Sequence, residues 1–237
     1  MLKFLFLNAI ITALSIFFSL YGVVLGPFDR EGGRVVHSCV AVPWARMILR
    51  VCGVKVVVKG LEDVEADVPR IYLSNHQSYF DIFALLACLP VSFKFVLKKE
   101  LMKIPFFGSA MRNAGYIAID RDDPRKAIKS MNEAAERIKD GASVLIFPEG
   151  TRSADGQLLP FKPGGFHLAL KSKCDVVPIA IINSRAIVPK GSLTINKGTF
   201  AMNIGKPIPT RNYSKKDMAH LMARVREEMT TLMAQGL

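Results

Sequence analysis

Ser143-Val144-Leu145-Ile146-Phe147 runs straight into Pro148-Glu149-Gly150-Thr151-Arg152, and the reading of the fold starts from this stretch. The first half is short and apolar, with the look of a buried strand. The second half brings a proline, a glycine that lets the backbone turn tightly or approach a ligand, a carboxylate and a guanidinium. In α/β sheets, ligands gather at the carboxyl ends of strands, which is where this charged turn would sit.

The flanking segments alternate in the same way. Upstream, Asp123-Pro124 opens a helix, with Asp123 as N-cap and Pro124 at the first helical position. Ile128, Met131, Ala135 and Ile138 recur at helical spacing, and Gly141 stops the run. Downstream, residues 165–173 read as helix and residues 176–182 as strand. Four further strands are expected at 54–59, 71–73, 93–97 and 115–119. The last helix starts at Ser214, where Asp217 completes a capping box. Its apolar stripe is Met218, Leu221, Met222, Val225, Met229 and Met233. The expected fold is therefore α/β: a largely parallel mixed sheet flanked by helices, preceded by an N-terminal membrane-attached helical segment. We divide the chain into residues 1–53, an anchor with interfacial helices, and residues 54–237, a catalytic domain. The Gly32-Gly33 pair is the one hinge candidate between them.

Half of the 237 residues are hydrophobic and the formal net charge is +12. A basic excess points to an anionic partner. Nucleic acid is not expected, because the cations are scattered and no nucleic-acid-binding signature accompanies them. Cys39, Cys52, Cys88 and Cys174 are too far apart in sequence for a zinc knuckle or redox pair, and read as buried small apolar residues. No phosphate-binding loop or dinucleotide fingerprint is present. No clustered His, Cys or carboxylate set suggests a metal.

Residues 4–26 carry no charged side chain and are long enough to cross a hydrocarbon core. A cleaved signal would have a shorter apolar run and a small-residue cleavage site, which Gly26-Pro27-Phe28-Asp29 does not offer. Only Lys3 precedes the segment, whereas Arg30, Arg34, Arg46 and Arg50 follow it. The positive-inside rule places the rest of the chain in the cytoplasm. Arg46 and Arg50 stand four apart with Trp44 nearby, so residues 35–53 read either as an interfacial helix or as a helix packed on the domain.

Two short segments carry the chemistry. In Asn75-His76-Gln77-Ser78-Tyr79-Phe80-Asp81, the histidine follows an expected strand end. Five residues on a regular helix is about 140°, so His76 and Asp81 meet only if the histidine sits in the turn and Asp81 in the first helical turn. Ser78 as N-cap supplies that geometry. Asp81 then either serves the cap alone or also accepts from one ring nitrogen, leaving the other as a base near neutral pH. Ser78 as a nucleophile is the alternative, without the Gly-x-Ser-x-Gly surroundings of a hydrolase. In the second segment, Gly150 lets the backbone turn, Arg152 suits a phosphate and Thr151 adds a hydroxyl. A carboxylate would repel that phosphate, so Glu149 is expected to orient an arginine or a substrate hydroxyl. Arg121 follows a strand and reads either as a surface ion pair or as a further cation of the site. Lys98 and Lys99 either add positive potential there or form a solvated face, and His167 is expected to be structural.

These segments resemble the glycerolipid acyltransferase family, closest to its bacterial 1-acylglycerol-3-phosphate acyltransferases. The family's His-x4-Asp motif is matched at residues 75–81. Its arginine motif is matched by Gly115-Tyr116-Ile117-Ala118-Ile119-Asp120-Arg121, its third motif by Phe147-Pro148-Glu149-Gly150-Thr151-Arg152, and its apolar proline motif by Val176-Val177-Pro178-Ile179-Ala180-Ile181. Lys98-Lys99-Glu100-Leu101 and Ile104-Pro105-Phe106-Phe107-Gly108 are also similar. The resemblance spans roughly residues 54–207. It implies transfer of a fatty acyl chain from acyl-CoA or acyl-ACP, as co-substrate and with no cofactor, to the hydroxyl of lysophosphatidic acid, giving phosphatidic acid. His76 and Asp81 would be catalytic. Arg121, Glu149, Gly150, Thr151 and Arg152 would bind substrate, with the two arginines on the phosphate. Membrane lipids are the implied surroundings. Glycerol 3-phosphate or another lysolipid, such as lyso-ornithine lipid, is the alternative acceptor. A thioesterase or lipid hydrolase and a non-catalytic membrane adaptor are the other readings.

Overall fold

Ile71–Ser74, Ser143–Ile146 and Val176–Ile182 have almost no polar face to offer solvent, so each must be covered on both sides. The computed structural model, which describes residues 2–120 and 123–236, provides that cover. In chain order the elements are α1 (Leu2–Leu25), α2 (Arg34–Val36), α3 (Val42–Val51), β1 (Val54–Lys59), β2 (Ile71–Ser74), α4 (Phe80–Cys88), β3 (Phe93–Lys98), α5 (Phe107–Asn113), β4 (Ile117–Ile119), α6 (Pro124–Lys139), β5 (Ser143–Ile146), α7 (Gly164–Ser172), β6 (Val176–Ile182), β7 (Gly198–Ile204) and α8 (Met218–Ala234).

The strands form one seven-stranded sheet in the order β1-β7-β6-β2-β5-β3-β4. Every neighbouring pair is parallel except β6 with β7. Alternate side chains go to opposite layers, as the two-residue period of a strand requires. Tyr72, Phe93, Phe95 and Leu145 face a core completed by α3 and α4. Ile71, Leu73, Val144 and Ile146 face one completed by α6, α7 and α8.

The α/β reading and its mostly parallel sheet hold. β7 was not expected. Its run is broken by Asn203, which is fully buried because its Nδ2 donates to the Leu232 carbonyl near the end of α8 at 2.9 Å. The caps at Asp123 and Ser214 behave as read: the Asp123 carboxylate accepts from Arg125 and Lys126 N–H, and the Ser214–Asp217 capping box is complete, whereas the N-cap of α4 falls on Tyr79 rather than Ser78. Three details differ. Ile128 is 62% exposed, and Ala134 joins Ala135 and Ile138 in the buried stripe of α6. Leu232, not Met233, ends the buried stripe of α8, and Cys39 is exposed.

Residues 34–51 pack on the body: Ala45, Ile48 and Leu49 are buried in the same cluster as the sheet. Arg46 and Arg50 stay exposed on the opposite side. Between α2 and α3 the helix widens into a π turn at His37–Ala41, where Val42 N–H reaches the His37 carbonyl. Pro43 follows; it has no N–H to return to the previous turn, and the wider turn makes room for its ring.

Among the described residues, α1 is long and apolar enough to cross a membrane. It is also docked on the body. Gly22 lies against Ala110 of α5, and a side chain at Gly26 would overlap Asn113. Asn113 donates to the Gly22 carbonyl at 3.1 Å, and Trp44 Nε1 donates to Ser15 Oγ at 3.2 Å. The opposite side of α1 exposes Leu5, Phe6, Ile16, Phe17, Leu20 and Val24.

Candidate active site

β2, β5, β3 and β4 lie side by side and parallel, so their carboxyl ends share one edge of the sheet. His76 leaves the end of β2, and the 147–152 turn leaves the end of β5. Asn75 acts as a substitute strand residue: its Oδ1 accepts from Ile181 N–H at 2.6 Å and its Nδ2 donates to the Ile181 carbonyl at 2.8 Å. Gln77 Nε2 donates to the same carbonyl at 3.1 Å and to the Gly156 carbonyl at 3.2 Å. These two buried amides tie the backbone on either side of His76 to β6.

Asp81 is fully buried, and a single oxygen serves both roles considered for it. Its Oδ2 accepts from His76 Nδ1 at 2.7 Å, from Gln77 N–H at 2.6 Å and from Ser78 N–H at 2.9 Å. The turn at Gln77-Ser78 brings the side chains together, which a continuous helix would not do. With Nδ1–H donating to the carboxylate, Nε2 keeps its lone pair. The imidazole stacks on Phe147, with centroids 4.0 Å apart. Ser78, the alternative nucleophile, is buried and its hydroxyl donates to the Val188 carbonyl at 2.9 Å.

Glu149 departs from expectation. It is buried, and neither oxygen meets an arginine: Oε1 accepts from His76 N–H at 2.9 Å and Oε2 from Leu159 N–H at 3.0 Å. Burial raises its pKa above the usual carboxylate range, opposed by these two bonds. The His76 carbonyl is held as well, by Ser153 N–H at 2.7 Å. Glu149 thus braces the backbone that carries the imidazole.

Gly150 turns with φ +71°, and a Cβ there would lie 3.0 Å from Lys162 Cε. Thr151 is exposed. The Arg152 guanidinium lies over the Tyr79 ring, 3.8 Å from its centroid. Its Nη1 is buried, without a hydrogen-bond partner among the described residues. Arg121 lies outside the described residues. Asp120 before it is paired with Lys99 at 2.6 Å, and Lys98 with Glu100 at 3.6 Å. His167 is exposed on α7. Tyr79, Lys162 and the Asn75–Gln77 amides were not singled out in sequence. Their partners lie far along the chain, so local spacing carries no signal of them.

His76, Tyr79, Gly150, Thr151 and Arg152 all line one cavity of about 600 Å³. The rest of its wall is mainly apolar, built by Phe18 of α1, Val40, Trp44 of α3, Phe83 of α4, Phe95 of β3 and Met111 of α5. An imidazole with a free lone pair and a guanidinium therefore line one space shaped for hydrocarbon. Among the described residues no group of His, Cys, Asp or Glu could hold a metal ion.

Comparison with known proteins agrees with this geometry. Residues 55–182, a little over half of the chain, match the family described as Acyltransferase. The chain is 42% identical over 183 residues to a chloroplastic 1-acyl-sn-glycerol-3-phosphate acyltransferase of Brassica napus, covering 76% of this chain and 52% of that one. It is 37% identical to the 1-acyl-sn-glycerol-3-phosphate acyltransferase of Saccharomyces cerevisiae, covering 75% and 59%. The chain thus spans about half of the first relative's length and under two thirds of the second's. The crystal structure of the 1-acyl-sn-glycerophosphate acyltransferase PlsC from Thermotoga maritima superposes with a TM-score of 0.83 at 25% identity, covering 99% of this chain and 95% of that one. Sequence match, shared fold and a His-x4-Asp pair set at the sheet's carboxyl edge lead to one conclusion: the chain belongs to the acyltransferase family.

Proposed function

We propose that the chain transfers a fatty acyl group from a thioester, acyl-CoA or acyl-ACP, to the free hydroxyl of 1-acylglycerol 3-phosphate, forming phosphatidic acid. One observation carries this reading: His76, held by Asp81, lines the same apolar cavity as Arg152. The acceptor hydroxyl gives its proton to His76 Nε2 as its oxygen attacks the thioester carbonyl. Asp81 holds the ring and balances the imidazolium. When the tetrahedral adduct collapses, the C–S bond breaks and the thiolate takes the proton from His76, leaving ester and free thiol. General-base help of this kind is worth roughly 10²–10⁴ in rate.

Arg152, with Arg121, receives the acceptor phosphate, while Gly150 and Thr151 line the space beside it. Glu149 acts through His76 rather than on substrate. No cofactor is needed beyond the thioester. Residues 1–53 attach the enzyme to an inner membrane by the apolar face of α1, and residues 54–237 work on its cytoplasmic side. Lysophospholipid and product both partition into a bilayer, so attachment raises the encounter rate.

The test is an acceptor panel. The full chain is supplied with one labelled thioester and, in turn, lysophosphatidic acid, glycerol 3-phosphate, a zwitterionic lysolipid or no acceptor. Products are identified by mass. Phosphatidic acid formed in preference to the other products supports the reading. Thiol release that ignores the acceptor would instead mean hydrolysis, and preference for another acceptor would replace the substrate.

A further inference from the structure

Residues 101–106 combine a strained turn with exposed apolar side chains. Phe106 sits at φ +59°, ψ −49°, and Phe107 N–H reaches back to the Pro105 carbonyl at 2.6 Å. This is a γ-turn of the positive-φ form, strained for any residue with a Cβ. It is held in place by Gly108 N–H on the Ile104 carbonyl and by Arg112 Nη1 on the Met102 carbonyl, each at 2.8 Å. The turn also leaves apolar side chains outside: Leu101, Ile104 and Phe106 are 38%, 45% and 53% exposed. Strain that the surroundings over-determine is characteristic of functional segments.

The position of the segment identifies its partner. α5, which follows, lies along α1, with Ala110 against Gly22 and Asn113 against Gly26. Phe106 is one helical turn before Ala110, as Phe18 is one turn before Gly22. By this register the segment lies level with Phe18 on α1, whose neighbours Phe17 and Leu20 are exposed as well. Leu101 and Phe107 also line the cavity that holds His76. Lys98, paired with Glu100, precedes the apolar residues, and Lys103 lies among them. Apolar tips flanked by long cationic stems suit the boundary between acyl chains and anionic headgroups.

We infer that Leu101–Phe106 is a second membrane-inserting element, separate from α1, that seats the rim of the cavity in an anionic bilayer so that a single-chain lipid enters from the acyl layer. The inference rests on the membrane attachment proposed above.

The test uses the full chain with Cys39 and Cys88 replaced by serine and one new cysteine, Phe106→Cys or Ile128→Cys, carrying an environment-sensitive dye. Residue 128 is exposed on α6 and serves as the control. Vesicles are equal parts phosphatidylcholine and phosphatidylglycerol, and flotation reports binding. The dye at 106 should shift to the blue and be quenched by chain-brominated lipid, whereas the dye at 128 should do neither. A protein that floats while residue 106 stays as wet as residue 128 overturns the inference and leaves the attachment reading standing. A protein that does not float ends both. A shift at 106 that grows with protein concentration without vesicles assigns the surface to a second copy and also overturns it. Ile104→Ser with Phe106→Ser should lower turnover of vesicle-embedded acceptor by about tenfold, with a short-chain soluble acceptor unaffected. Equal loss on both acceptors contradicts the rim role.

Discussion

Glu149→Gln separates a brace from a substrate contact. The carboxylate bridges two backbone donors from different segments, His76 at 2.9 Å and Leu159 at 3.0 Å, and is 3% exposed. Glutamine has nearly the same shape but only one acceptor oxygen. One of the two N–H groups would keep a neutral partner, and the other would face an NH₂ with no acceptor. A hydrogen bond to a charged group is worth about 1.5–3 kcal/mol and a buried unmet donor costs about 1–3 kcal/mol. Relief from burying a charge, visible in the raised pKa of Glu149, offsets part of this. A net loss of about 2 kcal/mol follows, which lowers Tm by about 4–8 °C in a chain of this size. Because the slack falls on the backbone of the base, kcat should drop while KM for the phosphorylated acceptor stays within about twofold, the pattern of an interaction felt mainly in the transition state. The measurements are thermal unfolding by circular dichroism and thiol release at varied acceptor concentration. An unchanged Tm with a raised acceptor KM would refute the brace and return Glu149 to the substrate.

Asp81→Asn should cut kcat by roughly 10²–10⁴ with little change in acceptor KM, since only the ring's orientation and charge balance are lost; turnover within tenfold of the parent would remove the histidine from its role as base. Arg152→Ala should raise the KM for the phosphorylated acceptor by about 10- to 100-fold. Tyr79→Ala should shift it the same way by up to about tenfold, and Tyr79→Phe hardly at all, because the guanidinium rests on the ring face. An unchanged KM in Arg152→Ala removes that residue from the phosphate. His37 gives a pH dependence. Burial, aided by the neighbouring Lys94 ammonium, lowers its pKa to about 3, against about 6.5 when unfolded. The unfolded chain therefore takes up the proton first, and stability falls as pH drops below about 6.5 toward about 3. The loss is about 2 kcal/mol by pH about 5, so Tm should fall less steeply with acid in His37→Gln than in the parent; equal slopes would contradict it.

Much of the site was legible because its chemistry is local. His76, the turn after it and Asp81 lie within six residues, and the sole question was whether the turn would let them meet. The same holds for the caps at Asp123 and Ser214. β7 was harder to see, because Asn203 breaks its apolar run and only the end of α8 explains why a buried strand tolerates an amide. Ile128 falls outside the buried stripe of α6 and Ala134 inside it, because periodicity reports a face of a helix but not how far the neighbouring layer reaches along and across it.

Residue order alone determined an α/β body, a basic chain with an apolar leading segment, and a histidine–aspartate pair, since strand and helix periods and short-range turns depend on near neighbours. Only the tertiary structure decided that Glu149 braces His76, that Tyr79 supports Arg152, and that α1 and α3 help enclose the His76 imidazole in an apolar cavity. Each of these contacts joins segments separated by dozens of residues. The first two exist because β2 and β5 became neighbours in the sheet, and that choice is made by the packing of the whole chain.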